Sequence, residues 1–241
     1  RLGDLTDDYS STEMWHETNA QKEGTIRRET RYLKDTSEWV FSGPHFYVGR
    51  PFNKTPRSEC TQNSHYDPID LTIIPEDYLP RTNYLSNCDA ADYRVRSPRV
   101  PWEINARVLD FYRLIYRGRL PPANEHTLFC AVMPVGTAHV HSNLSVCFKD
   151  SGNLLDFGGT SCSLPFDFFI RVTGRTSLYE SVLRNLPLVS MRQIRARFLS
   201  LICLTKHYSD LWFRNFDGSF PSDRWTSEDS RLRPIFFDKV T

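Results

Sequence analysis

Residues 153–188, NLLDFGGTSCSLPFDFFIRVTGRTSLYESVLRNLPL, decide how this chain reads. Leu154, Leu155 and Phe157, then Phe166, Phe168, Phe169 and Ile170, supply large apolar area in two short runs that read as helices. Pro165 suits the first turn of the second run, where its missing N–H costs nothing. Gly174 suits the turn that follows. Ser177-Leu178-Tyr179-Glu180 has capping-box spacing, so a helix is expected to run to about Asn185 and stop before Pro187.

Outward from this stretch, residues 25–33 and 39–48 carry aromatic and β-branched side chains and read as strands. Residues 50–100 hold Pro at 51, 56, 68, 75, 80 and 98 and read as a long irregular excursion. Pro101-Trp102-Glu103 opens an expected helix through Ile104, Val108, Phe111, Tyr112 and Ile115, ended by Gly118. Residues 127–133 read as a buried strand and 138–148 as its partner. A last long helix is expected over 191–215, with Ile194, Phe198, Leu201, Ile202 and Tyr208 on one stripe. Residues 1–11 read as an acidic linker, 12–216 as the domain and 217–241 as a polar tail. Strands and helices mix without βαβ alternation, so the fold class is α+β.

At 241 residues, 39% hydrophobic and 24% charged, the composition is that of a globular protein with an ample core. No apolar run approaches the roughly 20 residues that span a bilayer, so no membrane partner is expected. The chain starts at Arg1 without Met or an apolar signal region, and is expected to be a piece of a longer, cytoplasmic protein. Cysteines at 60, 88, 130, 147, 162 and 203 form no Cys-x-x-Cys pair and read as reduced thiols. Net charge is only +1, but it is unevenly spread. Residues 81–119 hold eight Arg against four acids, and residues 171–206 hold six Arg and Lys206 against Glu180, while residues 1–40 carry six basic and nine acidic side chains. Local basic faces bind phosphate even on a near-neutral protein.

Enzymatic chemistry finds little footing. No Gly-x-Ser-x-Gly elbow and no Gly-x-x-x-x-Gly-Lys phosphate loop occurs. His139 and His141, two apart on an expected strand, would share a face and could hold a metal with Asp150 or Asp156. The same imidazoles could instead donate to phosphate or bases. Base reading needs Arg for guanine and Asn or Gln for adenine. Two expected loops offer that pair: Asn53, Lys54 and Arg57 in one, Arg81, Thr82, Asn83 and Tyr84 in the other. Arg96 and Arg99 stand in the first basic window. Thr173, Gly174 and Arg175 form a turn expected before a helix N-terminus, a natural phosphate site.

The 153–188 series of short helix, Phe-rich segment, Thr-Gly, helix and Leu-Pro resembles the distal part of target-recognition domains in bacterial restriction–modification proteins. Glu13-Met14-Trp15-His16-Glu17-Thr18-Asn19, Gly43-Pro44-His45-Phe46-Tyr47-Val48-Gly49-Arg50-Pro51-Phe52, Asp77-Tyr78-Leu79-Pro80-Arg81-Thr82-Asn83-Tyr84 and Cys203-Leu204-Thr205-Lys206-His207-Tyr208-Ser209-Asp210-Leu211-Trp212 follow in order. Together they resemble the C-terminal part of large adenine-specific DNA methyltransferases of the type IIG and DISARM-like phage-defence kind. The resemblance covers about residues 14–225. It implies a twisted, mostly antiparallel sheet flanked by helices, double-stranded DNA as partner, and an N-terminal methyltransferase domain in the same parent chain. The family's Gly-rich S-adenosylmethionine loop and Asn-Pro-Pro-Tyr-type motif are absent here; Arg50-Pro51-Phe52-Asn53 is only a degenerate echo. The expectation is a non-catalytic DNA-reading module without a cofactor of its own. A protein-interaction domain of the same machinery and a His139/His141 metal enzyme are the alternatives.

Overall fold

Short apolar runs far apart in sequence meet in one small sheet. The computed structural model describes residues 1–222 and Ser227. In chain order the elements are β1 (Tyr9–Thr12), α1 (Glu17–Lys22), β2 (Ile26–Tyr32), β3 (Val40–Phe41), β4 (Lys54–Pro56), β5 (Tyr66–Pro68), β6 (Arg81–Ser86) and α2 (Ala90–Arg96). There follow β7 (Arg113–Arg117), β8 (Cys130–Met133), β9 (Ala138–His139), β10 (Asn143–Phe148), α3 (Ser151–Ser161), α4 (Leu164–Val172), α5 (Glu180–Leu183), α6 (Arg192–Ile202) and α7 (Ser209–Asn215). The main sheet is antiparallel with strand order β1-β10-β7-β8; β2-β6 and β4-β5 form antiparallel pairs and β3-β9 a parallel one. The class is mixed α+β. No helix among the described residues is long and apolar enough to cross a membrane.

Period two sorts the main sheet's side chains. Leu114 and Tyr116 of β7 face α3, where the Tyr116 hydroxyl lies 2.9 Å from Ser161 Oγ. Arg113 and Arg117 point to the other side, toward Met14 and Phe129 respectively. β10 is buried along its whole length, with Leu144, Val146 and Phe148 in the larger core and Cys147 in a second one with Trp15, Val40 and Tyr93. α3 lies over this sheet and packs on α6 through Gly158 and Gly159. The pair is fastened by Asp156, buried, which accepts from Arg195 Nε at 3.0 Å and Nη2 at 2.6 Å. Both oxygens of that carboxylate are thus engaged by Arg195, and Asp150 caps the N-terminus of α3.

Several expectations give way. Residues 1–11 are no linker: a 3-10 segment, Leu2–Asp8, leads into β1, Leu2 is fully buried, and its N–H donates to Leu186 O. Residues 50–100 are less irregular than their prolines suggest, because they supply β4, β5, β6 and α2. The expected helix over 101–118 does not form. Ile104, at its supposed core face, is 81% exposed, while β7 pairs on both edges with β8 and β10. Apolar positions spaced by four also contain the strand run Leu114-Ile115-Tyr116, and burial on both sheet faces decides between the two. β8 and the 138–148 segment are not partners; β8 pairs with β7, and β10 pairs with β7 and β1. The long helix over 191–215 breaks between Ile202 and Ser209, which turns Tyr208 inward to donate to Val132 O at 2.9 Å.

The opening stretch reads closer to plan. α3 and α4 form as expected, Pro165 sits in the first turn of α4, and Gly174 has φ +66°. The Ser177 capping box does not form; α5 starts at Glu180, whose carboxylate instead accepts from the Tyr9 hydroxyl at 2.8 Å. Of the tail, Phe220 is buried against Phe216, and residues 223–226 and 228–241 lie outside the described residues.

Two buried imidazoles make the fold acid-sensitive. His45 accepts from Ser42 N–H at Nδ1 (2.9 Å) and donates from Nε2 to Arg81 O (3.0 Å). His139 donates from Nδ1 to Val140 O (3.0 Å), with Ser145 Oγ 2.8 Å from Nε2. Burial lowers His45 to about 4 and His139 to about 3. Protonating either ring sets an N–H against a donor or an occupied hydroxyl.

Two outcomes are expected. Gly158→Ala places a methyl group 2.6 Å from Phe198 Cζ and 2.7 Å from Leu114 Cδ2. Overpacking of this kind costs about 1–3 kcal/mol and outweighs the roughly 1 kcal/mol of helix propensity that alanine contributes. A thermal melt should show a Tm several degrees lower, and an unchanged or raised Tm contradicts the α3–α6 contact. For pH the sign follows from the lowered pKa values. Below the ordinary histidine value of about 6.5 the unfolded chain binds protons that the folded chain refuses, so stability is full above it and falls as pH drops. The unfolding free energy from urea melts between pH 6.5 and 5 should fall by up to about 1.4 kcal/mol per pH unit for each ring. A flat profile over that window contradicts the neutral, buried state of both.

Candidate nucleic-acid interface

A polar cavity of about 430 Å³ opens where the β2-β6 ribbon, the Cys60–Tyr66 turn and the Gly43–His45 turn approach the end of β7. Arg28 forms part of the ribbon wall and donates to Cys60 O at 2.9 Å. Asn83 and Tyr84 face it from β6. Arg117, the last residue of β7, supplies a fixed cation. Its Nε donates to Gly43 O and its Nη2 to Phe46 O, each at 2.8 Å, and its guanidinium lies 4.1 Å from the Phe129 ring centroid. Burial lowers its pKa to about 10, which leaves it charged at neutral pH. Arg119 stands exposed at the mouth, and Asn143 pairs with Arg117 in register across β7-β10.

A second cavity of about 300 Å³, lined by Tyr47, Asn53 and Lys54, shares Pro44, Asn63 and Arg117 with the first. The two form one groove. Arg28, Lys54, Arg117 and Arg119 line it against one carboxylate, Glu17, which accepts from the Tyr84 hydroxyl at 2.9 Å. The balance is three positive charges on a protein whose whole charge is +1.

The groove thus gathers Asn53, Lys54, Asn83 and Tyr84 from the residues expected to read DNA. Their chemistry differs from the expectation, because Arg81, Thr82, Asn83 and Tyr84 form strand β6 and no loop. Asn83 is saturated: its amide donates to the Tyr66 hydroxyl at 2.7 Å and accepts from Thr30 Oγ1 at 2.9 Å. Thr82 is buried and donates to Val40 O. Asn53 likewise turns inward, donating to Pro44 O and accepting from Arg50.

Other expected readers lie elsewhere. Arg57 pairs with Asp67 at 2.9 Å, and Arg81 stacks 4.3 Å from the Tyr32 centroid. Arg96 is held by Asp92 and Glu23 O, and Arg99 lies beside Arg107 on a short bridge. His139 is fully buried with its ring nitrogens at Val140 O and Ser145 Oγ, while His141 packs on His16 with centroids 4.3 Å apart. Among the described residues no group of three His, Cys, Asp or Glu gathers as a ligand set. Thr173, Gly174 and Arg175 follow the C-terminal end of α4, not the N-terminus of a helix, so the helix dipole there opposes phosphate. The basic windows overcounted free charge for a similar reason. Arg171 donates to Asn124 O, Glu125 O and Thr127 Oγ1, and Arg195 is consumed by Asp156. All six cysteines are unpaired thiols, Cys60, Cys130 and Cys147 being buried.

Sequence reasoning missed Arg28 and Asn143 altogether and quoted Glu17 only inside a motif, with no role at a site. It counted Arg117 and Arg119 in a window without singling them out; the Arg-Gly-Arg triplet at 117–119 was the available signal. Comparison of the chain with family models, curated proteins and solved structures finds no match in any of the three.

Proposed function

We propose that this chain is a non-catalytic, sequence-specific DNA-binding module, a target-recognition-like α+β unit that places an adenine-specific DNA methyltransferase of restriction–modification or phage-defence type on its site. The observation that carries the reading is the concentration of Arg28, Lys54, Arg117 and Arg119 along one groove of a nearly neutral protein. Clustered cations beside amide-bearing walls suit a phosphate backbone, whose neutralisation dominates affinity. The ordered motif series gives the methyltransferase context. Methyl transfer from S-adenosylmethionine belongs, in this reading, to an N-terminal domain of the cytoplasmic parent protein.

One observation favours the protein-interaction reading in part. Leu164, Phe168 and Val172 follow one another at four-residue spacing on α4 and are all exposed. Such a stripe suits a contact with another protein surface, which is compatible with DNA binding by the groove on the same module.

Fluorescence anisotropy with a generic duplex tests the proposal. Affinity should be on the order of 10⁻⁴–10⁻⁶ M and should fall steeply with salt. Lys54→Ala and Arg119→Ala should each reduce the log–log salt slope by about 1 while weakening all sequences alike. Arg96→Ala and Arg175→Ala should leave the slope as it is. The reverse pattern moves the DNA face away from the groove, and no binding at low salt by folded protein leaves only the protein-interaction reading.

A further inference from the structure

The larger cavity contains an unmet demand. Asn143 is 1% exposed and lines it, and its side-chain oxygen has no hydrogen-bond partner. The amide nitrogen reaches Phe41 O only at 3.5 Å. A buried acceptor left unmade is costly, so a donor delivered from outside would be held there. Gly43 keeps the approach clear. A methyl group on it would sit 3.9 Å from Asn143 Oδ1 and 3.8 Å from Arg117 Nε, over the atoms a ligand would meet.

The rest of the wall defines what that donor belongs to. Tyr66 and Tyr84 present aromatic surface whose hydroxyls are already engaged, by Ser42 and Asn83 in one case and Glu17 in the other. Arg28 and Arg119 supply positive charge, Arg119 at the mouth. The volume, about 430 Å³, lies in the usual range of roughly 300–1,000 Å³ for small-molecule sites. A ligand with a flat ring carrying an N–H edge, joined to a phosphate, satisfies all three features. We infer that the cavity takes one nucleotide, its base N–H on Asn143 Oδ1 and its phosphate at the Arg28–Arg119 mouth. If the nucleotide belongs to DNA, its base must leave the stack, since paired bases cannot enter a concave site. The DNA-borne case rests on the groove reading above; the nucleotide site itself does not.

Three duplexes separate the possibilities without knowledge of the recognised sequence. One is perfect, one carries a single unpaired deoxyadenosine, and one carries an abasic residue at that bulge. Wild-type chain should bind the deoxyadenosine bulge about tenfold more tightly than the abasic one, the worth of one buried hydrogen bond and its ring contact. Asn143→Leu and Gly43→Ala, each checked for an unchanged melting profile, should abolish that ratio whatever they do to binding of the perfect duplex. Equal binding of the two bulges by wild type overturns the DNA-borne site, and needs no variant to be read. Should no duplex bind, the groove reading falls and deoxyadenosine monophosphate alone decides. Shifts of the Asn143 and Asn63 side-chain amides in a nitrogen-15 spectrum then support a free-nucleotide site, and their absence overturns the inference.

Discussion

A guanidinium without a carboxylate organises this molecule's working face. Arg117 ends the central strand β7, lies over Phe129, and donates to the carbonyls of Gly43 and Phe46. Burying a cation this way is costly unless its donors are satisfied, and here two backbone carbonyls and a ring face do so without cancelling its charge. The consequence is geometric. The Gly43–His45 turn is tied to the sheet, His45 is held beneath Trp39 and Phe41, and the β2-β6 ribbon is fixed through the His45–Arg81 hydrogen bond. The groove is the space these ties leave open.

A second constraint acts behind the sheet. α3 approaches β7 so closely that Gly158 has no room for a side chain, and α6 closes over it with the Asp156–Arg195 pair. The helical side is therefore tightly packed at the α3–α6 contact. Two of its arginines, Arg171 and Arg195, look free in the sequence but are committed to carbonyls, a hydroxyl and a carboxylate. The opposite side retains cations that bind only backbone carbonyls or none, which is why near-neutral total charge and a basic groove coexist.

Legibility in the sequence followed the range of the interactions. α3, α4 and the Gly174 turn were readable because proline position, apolar spacing and a left-handed glycine are local signals. Residues 101–118 were misread because one apolar run fits both helical and strand periods, and the decision comes from β8 and β10, far along the chain. The strand at Arg81–Ser86 hid behind Pro80 and polar side chains, whose partners Tyr66, Thr30 and Val40 are distant. The groove was half visible. Lys54, Asn53, Asn83 and Tyr84 stood out by type, but Arg117 acquires its place from Gly43 and Phe46, 74 and 71 positions away. Asn143 carried no local sign at all; its unpartnered oxygen exists only once β10 is paired.

Hydrogen exchange of backbone amides with and without duplex DNA tests the central claim most directly. The account predicts protection concentrated at residues 42–46, 53–54, 60–66 and 117–119, the segments that line the groove, with 90–99 and 173–175 unchanged. Protection confined to 90–99 and 173–175, with the groove segments exchanging as before, contradicts it.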